Sequence, residues 1–303
     1  MSMPLHLPSI ERRQFLRTLG GGLATFAAAE SMFASDQVDE SLVYLLNDPH
    51  IGEKQPSDSL IPAHFREAVD EVLGLETPPA ALLINGDLAL RDGQPGDYRH
   101  FAKLLAPLRE ANINLHLTLG NHDNRETFYD VLREERPAEP PIESRHISVV
   151  QSRHANFFLL DSLMETMVTQ GKIGETQSAW LARALDNHPD KAAIIVTHHN
   201  PRLGGDPDHF PGGLTDSEEL WQVLEPRKQV KAYIHGHIHH WSLAEHQGIH
   251  IINTPATSYV GNREISTTGW TVARFHPDGV ELTLRTHEPD HAWNGKVSNM
   301  VWR

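Results

Sequence analysis

The chain has 303 residues, 39% of them hydrophobic and 22% charged, which suits a globular protein with a sizeable buried core. Forty acidic residues against 26 basic ones give a formal net charge of −14 with no Lys/Arg run, which excludes the electrostatic footprint of a duplex nucleic-acid binder. Cysteine is absent, excluding disulfides and thiolate chemistry, no run of about eighteen apolar residues exists to span a membrane, and 21 histidines leave imidazole as an abundant metal ligand.

The N-terminal stretch ERRQFLRTLGGGLATFAAAES pairs Arg12 with Arg13, then passes through Phe15, Leu16 and Arg17 to an apolar run and Ala27, Ala28 and Ala29. Charged, apolar and small-residue regions in that order have the anatomy of a secretory signal, and RRQFLR resembles the twin-arginine export motif. Gly20, Gly21 and Gly22 would break the rival reading, an amphipathic helix of the mature fold. The expectation is a signal peptide over 1–29, cleaved after Ala29, and export of the folded protein to the periplasm.

From residue 41 onward strands and helices alternate. LVYLL (42–46) is a short apolar run that reads as a buried strand, and 61–75 has helical spacing ending near Gly74. A second strand at 80–84, a second helix at 98–111 and a third strand at 113–119 complete a β–α–β–α–β order, which argues for parallel crossovers. A Pro-rich loop at 137–141 precedes strands in SRHISVVQS and HANFFLLDS, and a helix at 175–187 leads to a strand at 192–197. Thr215 and Glu218 form an expected capping box for the helix SEELWQVL, and the strand KAYIH follows. The end is β-rich: HIINTPATS, then GWTVARF and VELTLRT joined by the hairpin signal HPDG. With no internal repeat or clear linker, one domain over 41–287 and a tail over 288–303 are expected.

Polar words follow the strands. Sites in α/β sheets form beyond the carboxyl ends of strands, so five words can converge. They are NDPHIG with Asp48 and His50, NGDLALRDG with Asp87, GNHDNR with Asn121, His122 and Asp123, HHNP with His198 and His199, and HGHIHH with His237 and His239. Any one word arises by chance; all five in order, each at a strand end, argue against mere caps and turns. Carboxylate, imidazole and amide oxygen suit Mn, Fe, Zn or Co, and two such ions about 3.5–4 Å apart, sharing a carboxylate, can promote displacement at phosphorus. Side chains two apart on an extended segment point the same way, which would let His237 and His239 both reach the ions. His235 shares that parity, whereas His240 faces the other way and reads as structural.

The ordered set DxH, GD, GNHD, HHxP and GHxH resembles the calcineurin-like metallophosphoesterase family over residues 41–287. The resemblance implies an α/β fold, a four-layer α/β/β/α sandwich with two mixed β-sheets, built around two divalent metal ions. It implies that Asp48, His50 and His239 hold one ion, that Asn121, His198 and His237 hold the other, and that Asp87 bridges them. His122 would orient the phosphate and protonate the leaving oxygen, and Asp123 would orient His122 through its other ring nitrogen. The choice between His198 and His199 stays open, and the pattern assigns nothing to His235.

Departures narrow the branch. Purple acid phosphatases carry a tyrosine where this chain has Leu90, and protein phosphatases carry GDxxDRG, which here reads GDLALRDG with Arg91 alone matching in the DRG part. Pro49 inside the first word is unusual and would hold Asp48 extended. GNHDNRETFYDVL, IGETQSAWLARAL and NTPATSY look most like the class III cyclic-nucleotide phosphodiesterase and glycerophosphodiesterase branch. Candidate substrate contacts are Arg91, Arg125, His199, His209 and Tyr259, with the loop 202–213, Thr257 and Ser258 around them. With the export signal at the N-terminus, the resemblance implies an exported enzyme that hydrolyses phosphodiesters by attack of a metal-bridging hydroxide. A broad phosphomonoesterase and a non-catalytic metal-binding protein are the alternatives, with a small phosphoester as partner and oligomeric state open.

Overall fold

A computed structural model describes residues 38–203 and 212–303, so the expected signal over 1–29 and the candidate His209 lie outside the described residues. In chain order the first half contains β1 (Asp39–Asn47), α1 (Leu60–Gly74), β2 (Pro79–Asn85), α2 (Pro95–Glu110), β3 (Leu115–Thr118) and α3 (Arg125–Val131). Then come β4 (Ser148–Gln151), β5 (Ala155–Leu159), α4 (Glu175–Asp186), β6 (Ala192–Val196), α5 (Ser217–Leu224) and β7 (Val230–His235). The chain closes with β8 (Ser242–His246), β9 (Ile249–Asn253), β10 (Gly269–His276), β11 (Gly279–Thr286) and β12 (Val297–Val301).

These strands form two six-stranded sheets, ordered β12-β11-β10-β1-β2-β3 and β4-β5-β6-β7-β9-β8. Both are mixed. β1, β2 and β3 are parallel, as are β5, β6, β7 and β9, while β4, β8 and β10 to β12 pair antiparallel. The central strands are covered on both faces, which is why they read as unbroken apolar runs. In β1, Leu42, Tyr44 and Leu46 pack beneath the helices α1 and α2, while Val43 and Leu45 turn to the other sheet. In β6, Ile194 and Val196 face that inter-sheet core, and Ala193 and Ile195 pack towards α4 and α5. Three apolar layers therefore separate four layers of structure, and the sandwich expected from the resemblance is the fold observed.

Several elements differ from expectation. Helix α2 starts three residues early because Pro95 occupies its first turn, where a missing N–H costs nothing. Helix α3 went unread, although Asn124 caps it by accepting the Thr127 amide at 3.0 Å. The capping box does not form as expected: α5 is preceded by Asp216, not Thr215, whose hydroxyl donates to the Gly171 carbonyl at 3.2 Å. Asp216 instead accepts the amides of Ile173 and Gly174, tying the two segments together. Residues 288–303, expected as a tail, add β12 to the edge of the first sheet, and Met300, Trp293 and Trp302 pack on the inter-sheet core. The apolar side chains of that segment have a surface to bury, so it joins the domain.

Candidate metal centre

The carboxyl ends of the parallel strands of both sheets meet at one place, held by side chains that close each strand. Asn47, last in β1, donates to the Thr254 carbonyl at 3.1 Å, and its main chain exchanges two bonds with Thr257. Asn85, last in β2, donates to the Thr197 carbonyl at 2.8 Å and accepts from Thr118, last in β3, at 2.6 Å. Sequence reasoning passed over all three residues. Their signal was available: a polar residue closing an otherwise apolar strand.

Beyond this layer the ligand words converge. Asp48, His50, Asp87 and His239 bring one donor atom each within 4.8 Å of one another. His239 Nε2 lies 3.2 Å from Asp48 Oδ1 and 3.1 Å from His50 Nε2, and His50 Nε2 lies 3.6 Å from Asp87 Oδ2. The second group surrounds His198 Nε2, which has Asp87 Oδ2 at 3.3 Å, Asn121 Oδ1 at 3.3 Å and His237 Nδ1 at 3.2 Å. Asp87 Oδ2 thus stands in both groups. Gly86 and Gly120 make this approach feasible: a Cβ at Gly86 would lie 2.3 Å from His198 Nδ1, and one at Gly120 would lie 2.2 Å from Asp87 Oδ1.

The backbone is bent to aim the ligands. Asp48, His50, Asp87, His237 and His239 all have positive φ, from 47° to 69°. Asp48 is therefore not extended, as Pro49 had suggested, but left-handed, a region aspartate tolerates when its carboxylate must turn inward. Nor do His237 and His239 ride an extended segment. β7 ends at His235, and two left-handed turns deliver the imidazoles to different groups. His235 stays buried outside both groups, and His240 packs edge-on against Trp293.

Hydrogen bonding fits the residues to cations. His50 Nδ1 donates to the Leu90 carbonyl at 3.3 Å, His198 Nδ1 to the Asn85 carbonyl at 3.2 Å, and His237 Nε2 to the Gly212 carbonyl at 3.1 Å. A carbonyl can only accept, so each ring, when neutral, turns its remaining nitrogen towards the cluster as a lone pair. Asp48 Oδ1 is buried there without a hydrogen-bond donor. Burial holds His50 down to about 4 and His237 down to about 3, the latter helped by the charge of His198. Burial also disfavours a charged His198, but the Asp87 and Asp48 carboxylates outweigh it and raise this group to about 9. Burial opposes ionisation of Asp48 and Asp87 as well, and the neighbouring imidazoles more than offset it, keeping both below the usual carboxylate range.

His199 belongs to the same cluster, with a ring nitrogen within 4.8 Å of those of His198 and His237 and its Nδ1 against Ser162 Oγ at 2.8 Å, while His198 directs Nε2 at Asp87, Asn121 and His237. His122 is half-buried at the mouth, and its Nδ1 donates to the Arg91 carbonyl at 2.6 Å. That bond corrects the role expected of Asp123, which does not touch His122. Its buried carboxylate accepts the amides of Leu88, Ala89 and Gly120 and the Tyr98 hydroxyl, at 2.9–3.1 Å. Asp123 thereby clamps the segment carrying Asp87 to the segment carrying Asn121. Arg125 is likewise corrected: it forks onto the buried Asp161 through two 2.7 Å bonds, leaving no free fork for phosphate. Thr257 is buried under the site on Asn47, and Ser258 is buried as well. Tyr259 and Arg91 do line the cleft of about 470 Å³ over the two groups, with Ile61, Leu90 and Thr169.

A two-sheet sandwich whose strand ends hold two adjoining groups of carboxylate, imidazole and amide ligands defines a metal-dependent phosphoesterase. The chain belongs to the calcineurin-like phosphoesterase family, whose profile matches residues 42–241. It is 28% identical over 281 residues to the 3',5'-cyclic adenosine monophosphate phosphodiesterase CpdA of Vibrio vulnificus (strain CMCP6), covering 89% of this chain and 93% of that protein. It is 30% identical over 202 residues to a probable cyclic nucleotide phosphodiesterase of Psychrobacter arcticus, covering 64% and 69%. Among solved structures, a dimetal phosphatase from Danio rerio superposes with a TM-score of 0.65 at 14% identity, covering 86% of this chain and 99% of that one. A purple acid phosphatase from yellow lupin shares the fold with a TM-score of 0.58 at 13% identity, covering 86% and 53%.

Proposed function

We propose that this phosphoesterase acts on phosphodiesters of the cyclic-nucleotide type. The lining of the cleft carries the reading. Among its described residues Arg91 is the one permanent cation, and Ile61, Leu90 and Tyr259 give it an apolar rim. A diester bears one negative charge and an organic group on each side of phosphorus, which suits such a rim better than a doubly charged monoester does. The activities named for the Vibrio and Psychrobacter relatives support the same class. In this reading Asp48, His50 and His239 hold one cation, Asn121, His198 and His237 the other, and Asp87 both. Such cations supply Lewis acidity and lower the pKa of water, so no side-chain nucleophile is needed. His122, held at Nδ1 by the Arg91 carbonyl, would act in its imidazolium form: as a water oxygen bonds to phosphorus and the ester P–O bond breaks, Nε2 gives its proton to the leaving oxygen and the ring is left neutral.

The test compares an aryl phosphodiester with the matching monoester, using Mn²⁺-loaded protein and a chelated control. A chelator-sensitive rate that favours the diester is expected. A monoester preference would move the protein to the phosphatases, and no rate on either with both metals bound would make it a metal-binding protein. We also propose that residues 1–29 direct twin-arginine export, with metal acquired before translocation. Loss of export from an Arg12→Lys/Arg13→Lys variant, followed by cell fractionation, is the expected result; unchanged export would refute it.

A further inference from the structure

A third group of ligand-type side chains lies outside the cleft, where helix α1 packs beside the segment after β11. Glu67, Glu71 and His287 bring one donor atom each within 4.8 Å of one another. Glu67 and Glu71 are four residues apart on one helix face, where like charges repel. The His287 side chain is only 2% exposed, and its Nε2 donates to the Thr257 carbonyl at 3.0 Å. A carbonyl cannot donate in return, so the neutral ring turns a lone pair outward at Nδ1. The polar atom that Nδ1 faces is Glu67 Oε2 at 3.5 Å, itself an acceptor. Protonating the ring would relieve this contact, but burial, with the His64 ring stacked at 4.7 Å, holds His287 down to about 4. Glu71 is already oriented, since its Oε2 accepts the Trp270 indole N–H at 2.8 Å.

We propose that Glu67, Glu71 and His287 form a third, mononuclear site for a divalent cation of zinc-like chemistry, separate from the two-metal centre. One cation satisfies all three features: it separates the carboxylates, receives the Nδ1 lone pair, and finds each ligand oriented by a hydrogen bond or a helix. One imidazole and two carboxylates suit a borderline first-row ion, with water completing the shell. Glu67 is half exposed, which leaves a path for entry from solvent. The site also has a structural consequence. Through His287 and Thr257 it braces Asn47, the residue before Asp48, and through His64, whose ring reaches the Ser258 carbonyl at 3.3 Å, it braces the segment carrying Tyr259.

The inference does not depend on which ester is hydrolysed. Full-length protein loaded with excess Zn²⁺ and desalted is expected to retain three zinc ions per chain. Anomalous scattering at the zinc edge would then place the third between Glu67, Glu71 and His287. A Glu67→Gln/Glu71→Gln variant keeps an acceptor for Trp270 and is expected to retain two ions, both at the cleft. If that variant does not fold, His287→Gln, which can still donate to Thr257, serves instead and has the same expected count. Two ions per chain in the unchanged protein would overturn the proposal, as would a third ion that persists in the variants.

Discussion

Replacing Asp123 by asparagine keeps the size of a buried side chain and removes one acceptor. Its two oxygens now serve four donors: Leu88 N and Gly120 N on Oδ2, Ala89 N and the Tyr98 hydroxyl on Oδ1. An asparagine oxygen can keep the first pair. Its amide nitrogen would then face the second pair, and only Tyr98 can adapt, because its proton has the Asn124 carbonyl at 3.4 Å as an alternative. The Ala89 amide has no such exit, and a buried unsatisfied donor costs about 1–3 kcal/mol. Loss of the charge itself adds little, since burial and the repulsion of Asp87 raise Asp123 to about 6 and make its ionised form expensive. The loop pair that carries Asp87 and Asn121 loosens, and such supporting contacts are worth about 10–100-fold in metal affinity. Urea unfolding of the chelated variant is therefore expected to show a loss of about 1–3 kcal/mol. Activity titrated with Mn²⁺ should move to higher metal concentration and approach the unchanged turnover at saturation. If turnover at saturating metal falls a hundredfold while the titration midpoint stays put, Asp123 orients His122 after all and the clamp reading fails.

His122→Gln should retain the metal content of the unchanged protein and lose about 10²–10⁴-fold in kcat, the range for a general acid; metal loss with little rate loss would contradict its place at the mouth. Arg125→Ala leaves the buried Asp161 with Arg145 at 3.9 Å as its remaining cation. It should cost about 2–4 kcal/mol by chemical denaturation with KM unchanged, and a tenfold rise in KM at unaltered stability would return Arg125 to the substrate. Asp39, for which burial works against the charge, is nonetheless held at about 2 by hydrogen bonds from Ser41 and Arg274. Its folded pKa is depressed, so its stabilisation is present above pH 4 and fades as pH falls through 2. The pair is part-exposed, so Asp39→Asn should cost less than about 1 kcal/mol at pH 7. Denaturation curves for the variant and the unchanged protein should merge near pH 2, and a gap that widens towards acid would reverse the assignment.

What could be read from sequence was chemistry placed at strand ends. Asp48, Asp87, His198, His237 and His239 each follow a run of apolar residues buried on both faces, and Asn121 follows the shorter, part-buried edge strand β3, so local pattern located them and strand topology assembled them. Periodicity failed where an element buries little. β8 is a mostly exposed edge, and its SLAEH shows no apolar alternation. Partner choice failed because it is long-range. Nothing near Arg125 in sequence announces Asp161, and nothing near Asp123 announces that three amides and a phenol hydroxyl would capture it before His122 could. The third cluster escaped notice for the same reason, since His287 lies over two hundred positions from its glutamates.

The left-handed geometry at five of the seven proposed ligands links the metal centre to the fold. A non-glycine residue in that region is destabilised by about 1–2 kcal/mol, so the apo site holds strain together with crowded imidazoles and carboxylates. The opposing contributions come from below: Asn47 and Asn85 join the two sheets at the ends of β1 and β2, and Asp123 fixes the loops after β2 and β3. These bonds cross between elements that apolar packing alone would leave free to slide by fractions of an ångström. Removing the Asn85 side chain should therefore affect the second metal group more than the first, because that side chain grips Thr197 immediately before His198 and so fixes the Asn85 carbonyl against the His198 ring. Asn47 has the converse position, preceding Asp48 in the first group. An Asn85→Ala variant that lost both ions equally would show that the sheets move as one body, with no separate adjustment of the two groups.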